Sequence, residues 1–255
     1  NAKAVLRDGT TRLKKDGEII HHHSGVAGFA EYAVLPKEAL VRIDKHIPFE
    51  HAALFGCGVV TGVGAVINTA SAREEDSIAI VGLGGVGLSA LLASIAIGSK
   101  KTIAIDLSNE KLNLAHELGA DHILNPNDAN FLERVRDLTS GGANIAIETA
   151  GSGRALKTAY DITRRGGTTV AAGMPGPKVD ITLSHLSIAA EERIIKGSYM
   201  GSCIAHRDIP KYLDMFQTGK LPVDRLLSRK ITFEDLNAAM DRLDDAKTVR
   251  EVLIP

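Results

Sequence analysis

The 255-residue chain carries 30 Lys and Arg against 31 Asp and Glu, a formal net charge of −1, and 44% of it is apolar. That balance gives no broad positive field for nucleic acid or an acidic membrane, and six Phe, four Tyr and no Trp leave few base-stacking platforms. Two cysteines, Cys57 and Cys203, cannot build a disulfide framework, which suits a reducing compartment such as the cytoplasm.

Gly28-Phe29-Ala30-Glu31-Tyr32-Ala33-Val34-Leu35-Pro36 alternates apolar and polar residues, the pattern of an antiparallel strand. Upstream, His21-His22-His23 cannot all reach one metal ion from an extended strand, where adjacent side chains point to opposite faces. A surface or interface position is expected for this run. Ile78–Gly98 is 21 residues without a charge, long enough for a membrane span. Its interior reads otherwise: an apolar strand Ile78–Val81, a glycine cluster Gly82-Leu83-Gly84-Gly85-Val86-Gly87, and an Ala/Leu-rich helix stopped by Gly98.

From there, apolar runs of strand type alternate with helical patterns. Strands are predicted at Ile78–Val81, Thr102–Ile105, His122–Leu124, Ile145–Ile147, Thr168–Ala172 and Arg193–Lys196. Helices are predicted near Val86–Ile97, Asn109–Leu118, Phe131–Thr139 and Arg154–Thr163, with two more in the tail near Arg207–Gln217 and Phe233–Leu243. The strands lack alternation, as a sheet covered on both faces requires. The fold class is therefore α/β, with a doubly wound, parallel six-stranded Rossmann sheet over about residues 58–200. Residues 1–57 and 201–255 belong to a second unit. Arg73-Glu74-Glu75-Asp76 and Asp241-Arg242-Leu243-Asp244-Asp245 read as solvated charge clusters.

Gly82-x-Gly84-x-x-Gly87 leaves a strand and opens a helix, the context in which such a motif is informative. Gly82 allows the tight turn, Gly84 lets backbone approach a pyrophosphate, and Gly87 brings helix close to strand. Gly85 and Val86 lie in the same turn, where free helix N–H groups meet phosphate. Asp106 ends the next strand, placed to accept hydrogen bonds from ribose hydroxyls and to repel a 2′-phosphate. NAD is thus expected over NADP. Lys111 follows one turn into the next helix, within reach of the same ribose. The strand-end loops Glu148-Thr149-Ala150-Gly151 and Ala172-Gly173-Met174-Pro175 should line the other half of the cofactor cleft, with Thr149, Ala172 and Met174 as contacts. Glu148 fits a cleft role and a structural one equally.

Gly56-Cys57-Gly58-Val59-Val60-Thr61-Gly62, standing before the fingerprint, resembles the zinc-containing alcohol dehydrogenases of the medium-chain dehydrogenase/reductase family. His21–Gly25 with Phe29–Tyr32, the glycine turn, Asp106 through Lys111, Lys196-Gly197-Ser198 and Val249-Arg250 follow in family order. The resemblance implies that Cys57 is a ligand of a catalytic zinc and that Thr61 and Val86 pack on the nicotinamide. It also implies that Ala172, Ser198 and Met200 hold the carboxamide and that Arg250 meets the pyrophosphate. Thr61 is thereby expected at the catalytic centre. Residues 1–57 would be the end of a mainly β, GroES-like catalytic domain. The family's remaining zinc ligands and proton-relay hydroxyl have no counterpart here, and the chain opens on Asn1, so a longer enzyme is expected. By itself the chain should bind NAD weakly and catalyse nothing, since a catalytic zinc takes about three protein ligands. Cys203, without neighbours at ligand spacing, is read as structural.

The function implied is hydride transfer between an alcohol, or its aldehyde or ketone, and NAD, with zinc assistance. Alternatives are oxidation of an S-(hydroxymethyl)thiol formed from formaldehyde, a zinc-free quinone or enoyl reductase, and a non-catalytic NAD-binding module. A homodimer or homotetramer joined through Ile194–Met200 is expected.

Overall fold

A computed structural model describes residues 5, 6, 8–22, 26–244 and 248–255, so His23, Ser24, Gly25 and Asp245 lie outside the described residues. Ten strands and nine α-helices are described, joined by short 3-10 and π turns. The hairpin β1 (Leu13–Lys15) and β2 (Glu18–Ile20) precedes a short α1 (Phe49–Ala52) and a buried α2 (Gly58–Gly64), which runs into a π-helical turn, Ala65–Thr69. Then β and α alternate: β3 (Ser77–Val81), α3 (Gly85–Ala96), β4 (Lys101–Ile105), α4 (Asn109–Glu117), β5 (His122–Leu124), α5 (Phe131–Thr139), β6 (Ala143–Glu148), α6 (Gly153–Ile162), β7 (Thr163–Ala171), α7 (His185–Ala190) and β8 (Ile194–Gly197). The tail adds α8 (Ala205–Gln217), β9 (Leu227–Ile231), α9 (Leu236–Asp241) and β10 (Arg250–Leu253).

The expected six-stranded sheet is present, parallel throughout, in the order β5-β4-β3-β6-β7-β8. The chain leaves β3 toward β4 and β5, then crosses back to β6, β7 and β8. The crevice beyond the end of β3 is therefore the topological switch point, where open α/β sheets bind ligands.

Every residue of β3 is buried, because helices cover both faces of the central strand. α3 is apolar nearly all round and buries nine of its twelve residues. Its buried hydroxyls are satisfied locally: Ser89 Oγ donates to the Gly85 carbonyl at 2.6 Å and Ser94 Oγ to that of Ala90 at 2.8 Å. α4 and α6 begin on serine caps, Ser108 accepting from the Lys111 amide and Ser152 from that of Ala155. The principal core also takes in Ile47, Leu54 and Phe55 before the sheet and Leu221, Val223 and Val252 after it. Segments that precede and follow the sheet in the chain are thus packed onto the nucleotide fold.

Two expectations need correction. Gly28–Pro36 forms no strand; Phe29, Tyr32 and Val34 are 60%, 91% and 89% exposed. Alternation supplies a face, but a strand also needs a neighbouring strand to share its hydrogen bonds, and no described strand pairs with this segment, whose Pro36 carbonyl instead accepts from the Ala39 amide in a local turn. Within the described part of the histidine run, His21 is exposed while His22 is buried, with Nε2 accepting from the Arg12 amide. Among the described residues no single helix is long and apolar enough to cross a membrane.

Candidate nucleotide site

Five strand ends converge on the crevice. β3 delivers the glycine turn, β4 delivers Asp106, β6 Thr149, β7 Ala172 and β8 Ser198. Gly82 has φ +94°, a conformation that side chains rarely adopt, and an added Cβ would strike Ala150. At Gly87 an added Cβ would lie 2.7 Å from Thr149 Oγ1 and collide with the Gly82 carbonyl oxygen, so the helix sits against the turn only because no side chain intervenes. Gly84 has no atom within 4 Å of such a Cβ: this point of the turn faces open space. Thr149 Oγ1 donates to the Gly82 carbonyl at 2.7 Å and ties β6 to the turn.

Asp106 holds the turn from the other side. Its carboxylate accepts from the Leu83 amide at 2.7 Å and from the Ser108 amide at 2.9 Å. It lines a cavity of about 240 Å³ together with Gly82, Lys111, Pro126, Arg154 and Thr158. Asp106 and Lys111 therefore meet in one pocket, an acceptor and a cation beside the glycine turn.

Arg250 returns from the C-terminal end to the opposite side of the turn. Its guanidinium fills the space where Cβ atoms at Gly58 and Gly85 would stand, so both glycines are required by its position. Burial pushes its pKa down from the ordinary value, countered only in part by coulombic attraction to Cys57. Among the described residues no carboxylate pairs with it, and its guanidinium donates to the Val249 carbonyl. A half-buried cation, without an anion partner among the described residues, stands next to the amino end of α3, where free N–H groups add partial positive charge.

Cys57 lies at the start of α2 beside Gly58 and Arg250, lining a second cavity of about 480 Å³. Its thiol-bearing residue is exposed, which departs from the usual burial of a structural cysteine. Thr61, one turn later, is 8% exposed; its Oγ1 donates to the Cys57 carbonyl at 2.8 Å and lies 3.8 Å from Met200 Sδ. Ser198 Oγ bonds Thr69 Oγ1 at 2.8 Å, while the Ala172 amide donates to the Glu148 carbonyl. Met200, Gly201 and Ser202 all have left-handed φ, and the Gly201 carbonyl lies against Gly64 of α2. Val86 belongs to the first turn of α3, whereas Met174 stands 76% exposed on the loop after β7.

Glu148 is 2% exposed, and burial raises its carboxyl pKa while surrounding amides lower it. Its Oε1 accepts from the Gly151 amide at 2.5 Å, so its task is to fix the loop after β6. Cys203 sits beside Asp208, and burial with that carboxylate raises its thiol pKa, the mark of an unreactive cysteine. Among the described residues no three His, Cys, Asp or Glu side chains are grouped to hold a metal ion. Cys57 offers one donor, and a zinc centre there needs ligands from outside the described residues.

The glycine turn, the switch-point crevice, the Asp106 carboxylate beside it and a guanidinium without a carboxylate partner among the described residues are the arrangement of a dinucleotide-binding α/β protein. The model of the family described as zinc-binding dehydrogenase matches residues 85–218. S-(hydroxymethyl)glutathione dehydrogenase of Paracoccus denitrificans is 30% identical over 261 residues, which is 99% of this chain and 69% of that protein. Among solved structures, an alcohol dehydrogenase zinc-binding domain protein from Burkholderia ambifaria superposes with a TM-score of 0.93 at 29% identity, over 99% of this chain and 69% of that one. Benzyl alcohol dehydrogenase from Acinetobacter calcoaceticus gives 0.87 at 30% identity, over 90% of this chain and 63% of its own length. The chain belongs to the zinc-binding dehydrogenase family, and it spans less than two thirds of the benzyl alcohol enzyme.

Proposed function

We propose that this chain is the cofactor-binding portion of an NAD-linked dehydrogenase that moves a hydride between an alcohol and NAD. The observation that carries the reading is Arg250, a half-buried guanidinium without a carboxylate partner among the described residues, aimed at the amino end of α3 across two glycines. The residues fit the dinucleotide. Gly84 leaves open space for the pyrophosphate, Asp106 and Lys111 meet the adenosine ribose, and Thr61, Val86, Thr149, Ala172, Met174, Ser198 and Met200 serve the nicotinamide half.

NAD supplies the hydride acceptor at the nicotinamide ring. The chain's own residues orient that ring and exclude water from one of its faces. Thr61 does this as part of α2, with its hydroxyl already donated to Cys57. We assign Cys57 as one ligand of the zinc that gives the family its description; the remaining ligands and the activation of the alcohol lie outside the described residues. Residues 58–200 form the nucleotide domain in this reading, and 1–57 with 201–255 form the part that joins the catalytic domain.

The alcohol substrate follows from the relatives, one named for an S-(hydroxymethyl)glutathione and another for benzyl alcohol. An exposed apolar edge at β8, with Ile194 46% and Ile195 41% exposed, supports a homo-oligomer joined at that strand. A cytoplasmic site of action agrees with two unpaired cysteines. The test is alcohol-dependent reduction of NAD by the enzyme that carries this chain. Reduction that requires NADP, or reduction of quinones without alcohol oxidation, would overturn the proposal.

A further inference from the structure

α2 carries Cys57 at its start and Thr61 one turn on, and it ends in the π turn Ala65–Thr69, closed by the Ala70 amide on the Ala65 carbonyl at 2.9 Å. Successive residues of an α-helix project about 100° apart. Asn68 and Thr69 nevertheless both bind the segment that follows β8. Asn68 Nδ2 lies 3.2 Å from the Gly201 carbonyl oxygen and from Asp208 Oδ2, and 3.0 Å from the Tyr212 hydroxyl, so its two N–H bonds are shared among three acceptors. The buried Thr69 Oγ1 bonds Ser198 Oγ at 2.8 Å and Ser202 Oγ at 2.9 Å, and the Thr69 carbonyl accepts from Lys196 Nζ at 3.1 Å. Between these anchors, Met200, Gly201 and Ser202 have φ of +49°, +64° and +49°. Such a run of left-handed residues persists only where its surroundings hold it. Asp208, itself 2% exposed, adds a further hold by accepting from the Ile204 amide at 2.7 Å. The Met200 sulfur at the front of this turn is 3.8 Å from Thr61 Oγ1.

We propose that Asn68 and Thr69 are positioning residues: from behind, they lock the strained Met200–Ser202 turn so that the nicotinamide seat forms at a fixed distance from Thr61 and Cys57. The inference rests on the nucleotide reading above, in which Ser198 and Met200 serve the nicotinamide half, and adds what holds that half in place. A π turn suits the task, because its wider winding lets two adjacent polar side chains meet one neighbour. Neither side chain touches the ligand in this reading; both act through the turn. An unlocked turn relaxes away from its left-handed φ values, and a seat formed a tenth of the time weakens its ligand about tenfold. The adenosine half, at the end of β4 on the other side of the glycine turn, does not register the change.

The experiment titrates NADH and ADP-ribose, which lacks the nicotinamide, calorimetrically onto the intact chain and onto Asn68→Ala, Thr69→Val, Thr69→Ser and Ser202→Ala. Asn68→Ala and Thr69→Val are expected to weaken NADH about tenfold and ADP-ribose less than about twofold. Thr69→Ser keeps the hydroxyl and should bind NADH within about twofold of the parent. Ser202 is exposed, so Ser202→Ala keeps the fold whatever the π turn contributes to it, and should weaken NADH alone, by about threefold. Equal losses for the two ligands overturn the inference, by making the π turn a support of the whole fold. NADH affinity unchanged in Asn68→Ala and Ser202→Ala overturns it, and so does a Thr69→Ser chain as weak as Thr69→Val. A parent that binds NADH no tighter than ADP-ribose overturns it as well, since no nicotinamide seat is then formed. Failure of the parent chain to bind ADP-ribose at all overturns the nucleotide reading itself.

Discussion

Replacing Arg250 by Met separates what this residue does for the fold from what it does for the ligand. The guanidinium is partly desolvated, lies against Gly58 and Gly85, and has no carboxylate partner among the described residues. A thioether of similar length keeps the packing and removes a charge that burial disfavours, so the ligand-free protein should hold its thermal midpoint or gain slightly. Binding should change in the opposite direction. A hydrogen bond from a charged group to phosphate is worth about 1.5–3 kcal/mol, or about 10- to 150-fold in affinity. NADH fluorescence titration reads the loss, and thermal unfolding without ligand reads the stability. The dependence of affinity on salt should also become shallower, because one phosphate-facing cation is gone. Unchanged NADH affinity, with a midpoint lowered by several degrees, would show that Arg250 is a structural cation and would refute the reasoning.

Asp106→Asn should narrow the preference for NAD over NADP by at least about tenfold, read from the two Kd values, because the charge that repels a 2′-phosphate is removed; the variant's single amide oxygen can serve only one of the Leu83 and Ser108 amides, so the unliganded midpoint should fall slightly. Gly87→Val should cost about 2–4 kcal/mol in urea unfolding and abolish NADH binding, since the Cβ collides with Thr149 and the turn. Glu148 has its folded pKa raised by burial, so the stability linked to it is present below the ordinary value of 4.5 and falls as pH rises through the raised value. Glu148→Gln should flatten that fall in thermal midpoints measured from pH 4 upward, and an undiminished fall would assign it to another group. The proposed joining at β8 predicts that Ile194→Lys yields a smaller species than the parent enzyme by light scattering, with the ligand-free fold intact.

The nucleotide fold was legible because its signals are local. Apolar runs such as Ile78–Val81 mark strands buried on two faces, and the glycine turn states its own geometry through Gly82, whose φ of +94° only glycine adopts easily. Asp106 followed from position alone, at the end of the next strand. Gly28–Pro36 misled because its alternation is local while strand pairing is not. Glu148 at a strand end carried no sign in the sequence of whether solvent, substrate or backbone amides would surround it. Arg250 came only through family resemblance, since nothing near it in sequence announces that the tail returns to α3. Arg154 opened a predicted helix, but its place in the pocket with Asp106 was not foreseen, since only the packing of α6 beside the connection after β5 brings it there, where it donates to Asn127.

The most direct test of the account is calorimetric titration of NADH onto this chain, with AMP as competitor. The account predicts one saturable site per chain, displaced by AMP and weakened by Arg250→Met and Asp106→Asn. Absence of any binding at millimolar NADH, with the protein folded, would contradict it.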